Sequence, residues 1–150
     1  MKSFVLIILM SFFTCVGNDQ KPNPTEHPKY FYWEDLTNSA KDSVLSSTSI
    51  NENVLKFYRN QQQISDNKFT YSLIDSLANW HNNSRELYFY IFNKICNNSD
   101  GAVSELLGIH CLNIILNDPN YVLNYFKRDK KIERLYAQLI GSEFYFKEEE

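Results

Sequence analysis

Glycine and proline are scarce in this sequence, with four of each among 150 residues. A sandwich or barrel of many short strands needs turn residues at regular intervals, and so few glycines and prolines cannot supply them. Three of the four prolines also precede residue 30, which leaves Pro119 alone in the rest of the chain. The scarcity therefore predicts an all-α fold, and a hydrophobic content of 43% is high enough for that fold to have its own core.

Metal-binding and nucleophilic residues are also few. The three cysteines and three histidines are widely spaced, and neither Cys-x-x-Cys nor His-x-x-x-His occurs, so the sequence predicts no metal site and no cofactor. His110 and Cys111 are adjacent, but neighbouring residues on a helix point about 100° apart and do not face one another. We therefore interpret both as core residues, and no catalytic residue is predicted.

Basic charge is not in excess, since 15 Lys and Arg stand against 18 Asp and Glu. A nucleic-acid partner is not predicted, because proteins that bind nucleic acid usually present a strongly basic face. One basic cluster does occur, from Lys127 to Arg134. We interpret the cations up to Lys131 as the end of a helix, where positive side chains interact favourably with the helix dipole.

The longest apolar run, Phe4 to Phe13, follows Lys2 and is too short to span a membrane, which takes about 20 residues. A positive residue followed by a short apolar run is typical of a signal peptide. The stretch Phe12-Phe13-Thr14-Cys15 resembles the lipobox of bacterial lipoproteins of the Bacteroidetes type, with Phe and Thr in place of the favoured Leu and Gly or Ala. The resemblance implies that residues 1–14 are removed and that Cys15 carries a lipid anchor.

Residues 15–29 fit a tether between that anchor and a domain, because they are polar and contain three prolines. These features predict an exported protein of the bacterial envelope, held at a membrane by its N-terminal lipid and facing the periplasm. An alternative stays open. Cys15 and Gly17 are small residues at the positions three and one before a cut, which would secrete a chain that begins at Asn18.

Hydrophobic spacing predicts one domain over residues 30–147, followed by an acidic tail at 148–150. About six or seven helices are expected. Their predicted starts lie near Trp33, Asn51, Asp66, Asn83, Ser99, Asp118 and Ile132, and the first, second and last are expected to end near Ser46, Gln62 and Gly141. A strand over residues 87–92 is the main alternative to the fourth helix, because aromatic residues favour strands.

Short links between these helices imply antiparallel neighbours packed in sequence order. The arrangement is either an irregular bundle or a short array, since residues 66–138 faintly resemble HEAT-like helical pairs. Gly108 interrupts an otherwise apolar helix and predicts a close helix crossing. Cys96 and Cys111 are expected to be buried free thiols, because antiparallel helices would offset them axially by more than about 10 Å.

Three consecutive aromatic residues near the C-terminus cannot all face one side of a helix, so some are expected at the surface. The alternative is that this triplet folds back and caps the bundle. Exposed aromatic residues beside Arg and Lys are typical of protein interfaces. The predicted interface consists of Tyr121, Arg128, Lys131, Phe144, Tyr145 and Phe146.

The leading functional hypothesis is therefore an envelope-anchored, non-catalytic protein-interaction module. Two alternatives from other classes remain. One is an immunity-type inhibitor of an envelope toxin, since a small acidic helical domain can bind by electrostatic complementarity. The other is a small envelope hydrolase whose catalytic residues are scattered along the chain.

Lipidation of Cys15 is directly testable. When the full gene is expressed in a Gram-negative host with labelled palmitate, we expect label on the wild-type protein and none on Cys15→Ala, because the alanine variant lacks the thiol to which the lipid would be attached. Equal labelling of both proteins, or of neither, contradicts the lipoprotein prediction. Mass spectrometry that finds Asn18 as the mature N-terminus would establish the secreted alternative.

Overall fold

A computed structural model of the chain describes residues 30–78, 80, 85–99 and 101–147. Within these ranges the protein is an all-α single domain without a β-strand, as predicted. A short 3-10 helix, Trp33–Asp35, precedes seven α-helices. These are α1 (Asn38–Leu45), α2 (Glu52–Tyr58), α3 (Lys68–Ala78), α4 (Arg85–Asn98), α5 (Gly101–Asn117), α6 (Pro119–Arg128) and α7 (Lys130–Lys147).

Helix α4 covers residues 87–92, so the helical interpretation of that segment is confirmed and the strand alternative is wrong. The cap expected at Asn83 lies outside the described residues. None of the described helices is both long enough and apolar enough to cross a membrane.

The single helix predicted from Trp33 to Ser46 is divided into two elements. Leu36 adopts an extended conformation with ψ 142°, which ends the 3-10 helix. The Thr37 side chain then accepts a hydrogen bond from the Ala40 backbone N–H at 3.2 Å and starts α1 as its N-cap. Trp33 is buried, as expected for an aromatic cluster that packs against a core.

Two other helix ends also differ from the prediction. Helix α2 ends at Tyr58 and not at Gln62, because Asn60 takes the left-handed conformation with φ 56°, which no helix continues through. Helix α7 continues through Gly141 to Lys147, so the expected C-cap at Gly141 is wrong. A glycine ends a helix by adopting a positive φ, and among the described glycines only Gly101 does so.

The start of α6 is confirmed, but the basic cluster is arranged differently from the prediction. Asp118 Oδ1 accepts a hydrogen bond from the Tyr121 N–H at 3.2 Å, which makes Asp118 the N-cap. Asp129 then caps α7 by accepting from the N–H groups of Lys131 and Ile132. Lys131 therefore lies in the first turn of α7 and not at the end of α6. The overlooked signal was Asp129 itself, a favourable N-cap residue inside the basic run.

The most extensive helix–helix interface joins α5 to α7, which are not neighbours in sequence. The predicted packing in sequence order is therefore wrong for the centre of the fold. At the crossing, a Cβ atom placed on Gly108 would lie 2.5 Å from the carbonyl oxygen of Leu139 and 2.7 Å from Cβ of Glu143. The predicted close crossing at Gly108 is confirmed, because no side chain fits between the two backbones there.

The expected separation of Cys96 and Cys111 is also wrong. Both are buried free thiols, as predicted, but their Sγ atoms lie 4.0 Å apart. The axial offset assumed that α4 and α5 run side by side as an antiparallel pair. In the structure α4 instead makes its main helix contacts with α3 and α7. The number of residues between each cysteine and the turn therefore does not determine the distance between the two thiols.

The crossing predicts opposite effects for two glycine substitutions. Gly108→Ala forces its Cβ against the Leu139 carbonyl and should lower the free energy of unfolding by about 1–3 kcal/mol, as overpacking usually does. Gly141→Ala is the matched control. It meets no atom within 4 Å and should raise that free energy by about 0.5–1 kcal/mol, because alanine is the better helix former. Urea unfolding followed by circular dichroism measures both, and a neutral Gly108→Ala would contradict the crossing.

Candidate functional site

The structure distributes the predicted interface residues over different environments. Tyr121 is completely buried, so its assignment to an exposed interface is wrong. Its hydroxyl donates to the backbone carbonyl of Phe31 at 3.3 Å, and its ring packs against Tyr32 and Phe89 with centroids 4.8 and 5.3 Å away. The Arg85 guanidinium lies 4.2 Å from the centre of the ring. Burial raises the pKa of Tyr121 far above its usual range, which marks it as a core residue.

Arg128 is a structural contact of the N-terminal segment. Its guanidinium donates to Asp35 Oδ2 at 2.6 Å and lies 5.5 Å from the centre of the Tyr32 ring. The hydrogen bond from Arg128 holds the pKa of the Asp35 carboxyl below its ordinary value. The pair joins the 3-10 helix to the end of α6, so Arg128 already has a partner inside the domain.

Lys131 lines a basic groove of about 320 Å³ on α7, together with Asn97 at the end of α4. Lys130 and Arg134 contribute two further cations. Lys130 is paired with Glu133 at 2.6 Å, whereas no carboxylate in the described part of the chain pairs with Lys131 or Arg134. The groove has the charge to attract an anionic group, but its side chains are largely exposed to solvent.

The aromatic triplet is partly at the surface, as expected. Phe144 is 57% exposed and Tyr145 is 64% exposed, so these two do not fold back to cap the bundle. The reason is that α7 continues past Gly141 and turns both rings away from the buried side of the helix. The side chain of Phe146 lies outside the described part of the structure.

A surface that the sequence did not predict lies on α5. Leu106, Ile109 and Leu116 are large apolar residues of this helix, yet they are 41%, 39% and 68% exposed. Their spacing of three and seven residues places them on one face of the helix. We refer to these three residues as the α5 apolar face. The available signal was that α5 is apolar nearly all round, with more large side chains than one buried face can accommodate.

A groove between α3 and α5 adjoins this face. It has a volume of about 310 Å³ and is lined by Tyr71, Ile74, Asp75, Leu106 and His110. Ile74 is almost fully buried and belongs to the core, whereas Leu106 belongs to both the groove and the α5 apolar face. The Tyr71 hydroxyl donates a hydrogen bond to Asp66. The groove is therefore mainly apolar, with an acidic group and an imidazole among its lining residues.

His110 has an unusual environment for a titrating group. Its Nε2 lies 3.7 Å from Asp75 Oδ1, which is too long for a hydrogen bond, and no described residue bonds its buried Nδ1. Burial lowers the pKa of His110, and the opposing charges of Asp75 on α3 and Glu143 on α7 do not offset that effect. Burial therefore favours the neutral form of the imidazole.

The groove combines apolar side chains with a few polar groups, as ligand pockets do. None of the described residues that line it is a serine or cysteine, and the Cys111 side chain is buried in the core. Among the described residues no three His, Cys, Asp or Glu side chains are grouped so as to hold a metal ion. No protein-family model, curated protein or solved structure matches the chain.

The neutral state of His110 predicts a pH dependence of stability. The folded-state pKa is below the unfolded value of about 6.5, so the unfolded chain binds a proton that the folded chain does not. The free energy of unfolding should therefore fall as the pH is lowered from 7.5 to 5.5, by the linkage relation. His110→Gln should show a smaller decrease, because it removes the proton that His110 takes up on unfolding. His27 and His81 are present in both proteins and contribute equally to both. Identical slopes in urea unfolding would contradict the assignment.

Proposed function

We propose that this protein is an exported, lipid-anchored helical module that binds a protein partner through the α5 apolar face, without chemistry. The observation that carries the proposal is the exposure of Leu106, Ile109 and Leu116 on one face of α5. Isolated exposed hydrophobic residues are ordinary, but three large aliphatic side chains on one helix face beside a groove, with the exposed Asn113 among them, have the mixed composition of a binding surface.

The shape of this surface suits an amphipathic helix or another apolar segment of the partner. Such a segment would cover the α5 apolar face and insert one side chain into the groove over Ile74, as in other helix-in-groove complexes. Asp75 and His110 supply the polar contacts that orient a ligand in an apolar pocket. Asp75 favours a cationic or hydrogen-bond-donating group at that point.

The free energy gained by burying these apolar side chains is sufficient for specific binding. Burial of one leucine or isoleucine side chain contributes about 1.5–3 kcal/mol, so loss of a single contact reduces affinity by roughly tenfold or more.

The proposed location of the module follows from residues 1–29. The apolar run and Cys15 support an anchor in a bacterial membrane, and the proline-containing tether would allow the domain to extend from that membrane.

We test the surface by placing a photo-crosslinking amino acid at position 109, or at position 123 as control, in the full chain expressed in its envelope. Leu123 is the matched control because it is another aliphatic residue, 50% exposed, but on α6. We expect one partner to be captured from position 109 and not from position 123. A toxin captured in this way would identify the immunity-type alternative, which uses the same binding physics.

The captured partner, once purified, allows a quantitative measurement. Ile109→Glu and Leu116→Glu should each weaken binding at least tenfold, because each buries a charge in an apolar contact, whereas Leu123→Glu should leave the Kd unchanged. Circular dichroism melts check that all three variants remain folded. Equal effects of the three substitutions, or no effect of the first two, would place the interface elsewhere.

A further inference from the structure

Two cysteines from different helices meet in the core. Cys96 on α4 is 3% exposed, Cys111 on α5 is completely buried, and their Sγ atoms are 4.0 Å apart. We propose that these two thiols form an intramolecular disulfide in the oxidising compartment to which the chain is exported. The proposal takes export from the proposed function, and it adds a covalent link between α4 and α5.

The geometry requires only a small adjustment. A disulfide has a sulfur–sulfur bond of about 2.05 Å, so each Sγ must move by about 1 Å from its position in the dithiol form. The two helices are not held together by an extensive interface, since α4 packs mainly on α3 and α7. A covalent link would therefore add a connection at a place where few backbone contacts exist.

The surroundings of the thiols favour a structural bond over a reactive cysteine. Burial is the largest cause that raises the pKa of Cys96, followed by its hydrogen bond with Cys111. A reactive thiolate needs a neighbouring cation or a helix N-terminus, and no cation contacts either sulfur in the described part of the chain. A folded dithiol would be inert, so oxidation must occur while the chain is still folding.

The bond forms by thiol–disulfide exchange. One cysteine thiolate attacks a sulfur of an oxidant that carries a disulfide, either a thiol–disulfide oxidoreductase or oxidised glutathione, and one oxidant sulfur leaves as a thiolate. The second cysteine thiolate then attacks the mixed disulfide and displaces the other oxidant sulfur. The two cysteines lose two electrons and two protons in total, and the oxidant is reduced to two thiols.

The expected consequence is higher stability. Cys96 and Cys111 are 15 residues apart, and closing a loop of that size constrains the unfolded chain. For a domain of this length the constraint should raise the Tm by about 10 °C relative to the dithiol form. The closed loop contains the connection between α4 and α5 and the first part of α5, which includes Gly108.

The test uses the purified full chain, unfolded, reduced and then refolded with reduced and oxidised glutathione. Remaining thiols are alkylated, and the protein is digested with trypsin and a glutamate-specific protease without reductant. Trypsin alone leaves both cysteines in one peptide, residues 95–127, whereas cleavage after Glu105 separates them. We expect peptides 95–105 and 106–127 to be recovered as one disulfide-linked species.

Two variants make the result decisive. Cys15→Ala should give the same linked species, and Cys111→Ala should give none. Reductant should lower the Tm of Cys15→Ala by about 10 °C and leave that of Cys111→Ala unchanged. Alkylation of both core cysteines, or linkage of either one to Cys15 or to glutathione, overturns the proposal. Because refolding is carried out in vitro, failure of lipidation or of partner binding would not affect this outcome.

Discussion

The contact between α5 and α7 at Gly108 determines how the remaining helices are placed. Without a side chain at that position the α5 backbone approaches the Leu139 carbonyl directly, and this crossing is the most extensive interface of the domain. It positions α7 so that the Tyr136 hydroxyl donates to Asn93 Oδ1 of α4 at 2.8 Å. The Tyr136 ring also packs against Phe92 and Phe126, with centroids 6.0 and 5.2 Å away. One helix thereby connects α4, α5 and α6.

A second set of contacts joins the N-terminal segment to the rest of the domain. Arg85 at the start of α4 is bonded to Asp118 Oδ2 at 3.0 Å, while the other oxygen of Asp118 caps α6. The Arg85 side chain also covers the Tyr121 ring, which packs against Tyr32. The starts of two helices and the chain before the 3-10 helix therefore depend on a few shared side chains. Tyr121, which the sequence analysis assigned to a binding interface, therefore serves to hold the domain together.

The same packing explains where a binding surface remains. Helix α5 contacts α3, α6 and α7, so three neighbours take up one side of a predominantly apolar helix. The opposite side receives no further helix among the described residues, and its leucine and isoleucine side chains stay exposed. The apolar groove beside it arises because α3 meets α5 near Ile74 and His110. The candidate site is therefore a consequence of the way α5 is surrounded.

Local features were determined by the sequence alone. Asp118 followed by Pro119 specified a helix start, and the spacing of apolar residues specified α3 and α4, because both signals depend only on neighbours along the chain. The scarcity of turn residues, a property of the composition, specified the all-α class. The close crossing at Gly108 was also predictable, because a glycine weakens the interior of an apolar helix unless a neighbouring backbone packs where its side chain would lie.

Tertiary structure decided the rest. A helix without a clear apolar face has no periodic signal, so only its neighbours determine that Leu106 and Ile109 face solvent. Tyr121 of α6 is buried because the N-terminal segment packs over it through Tyr32. Sequence separation likewise does not specify how helices cross, and Cys96 and Cys111 meet although their positions along the chain suggested a large offset. Periodicity encodes which residues share a helix face, whereas the packing of several helices determines which face is covered.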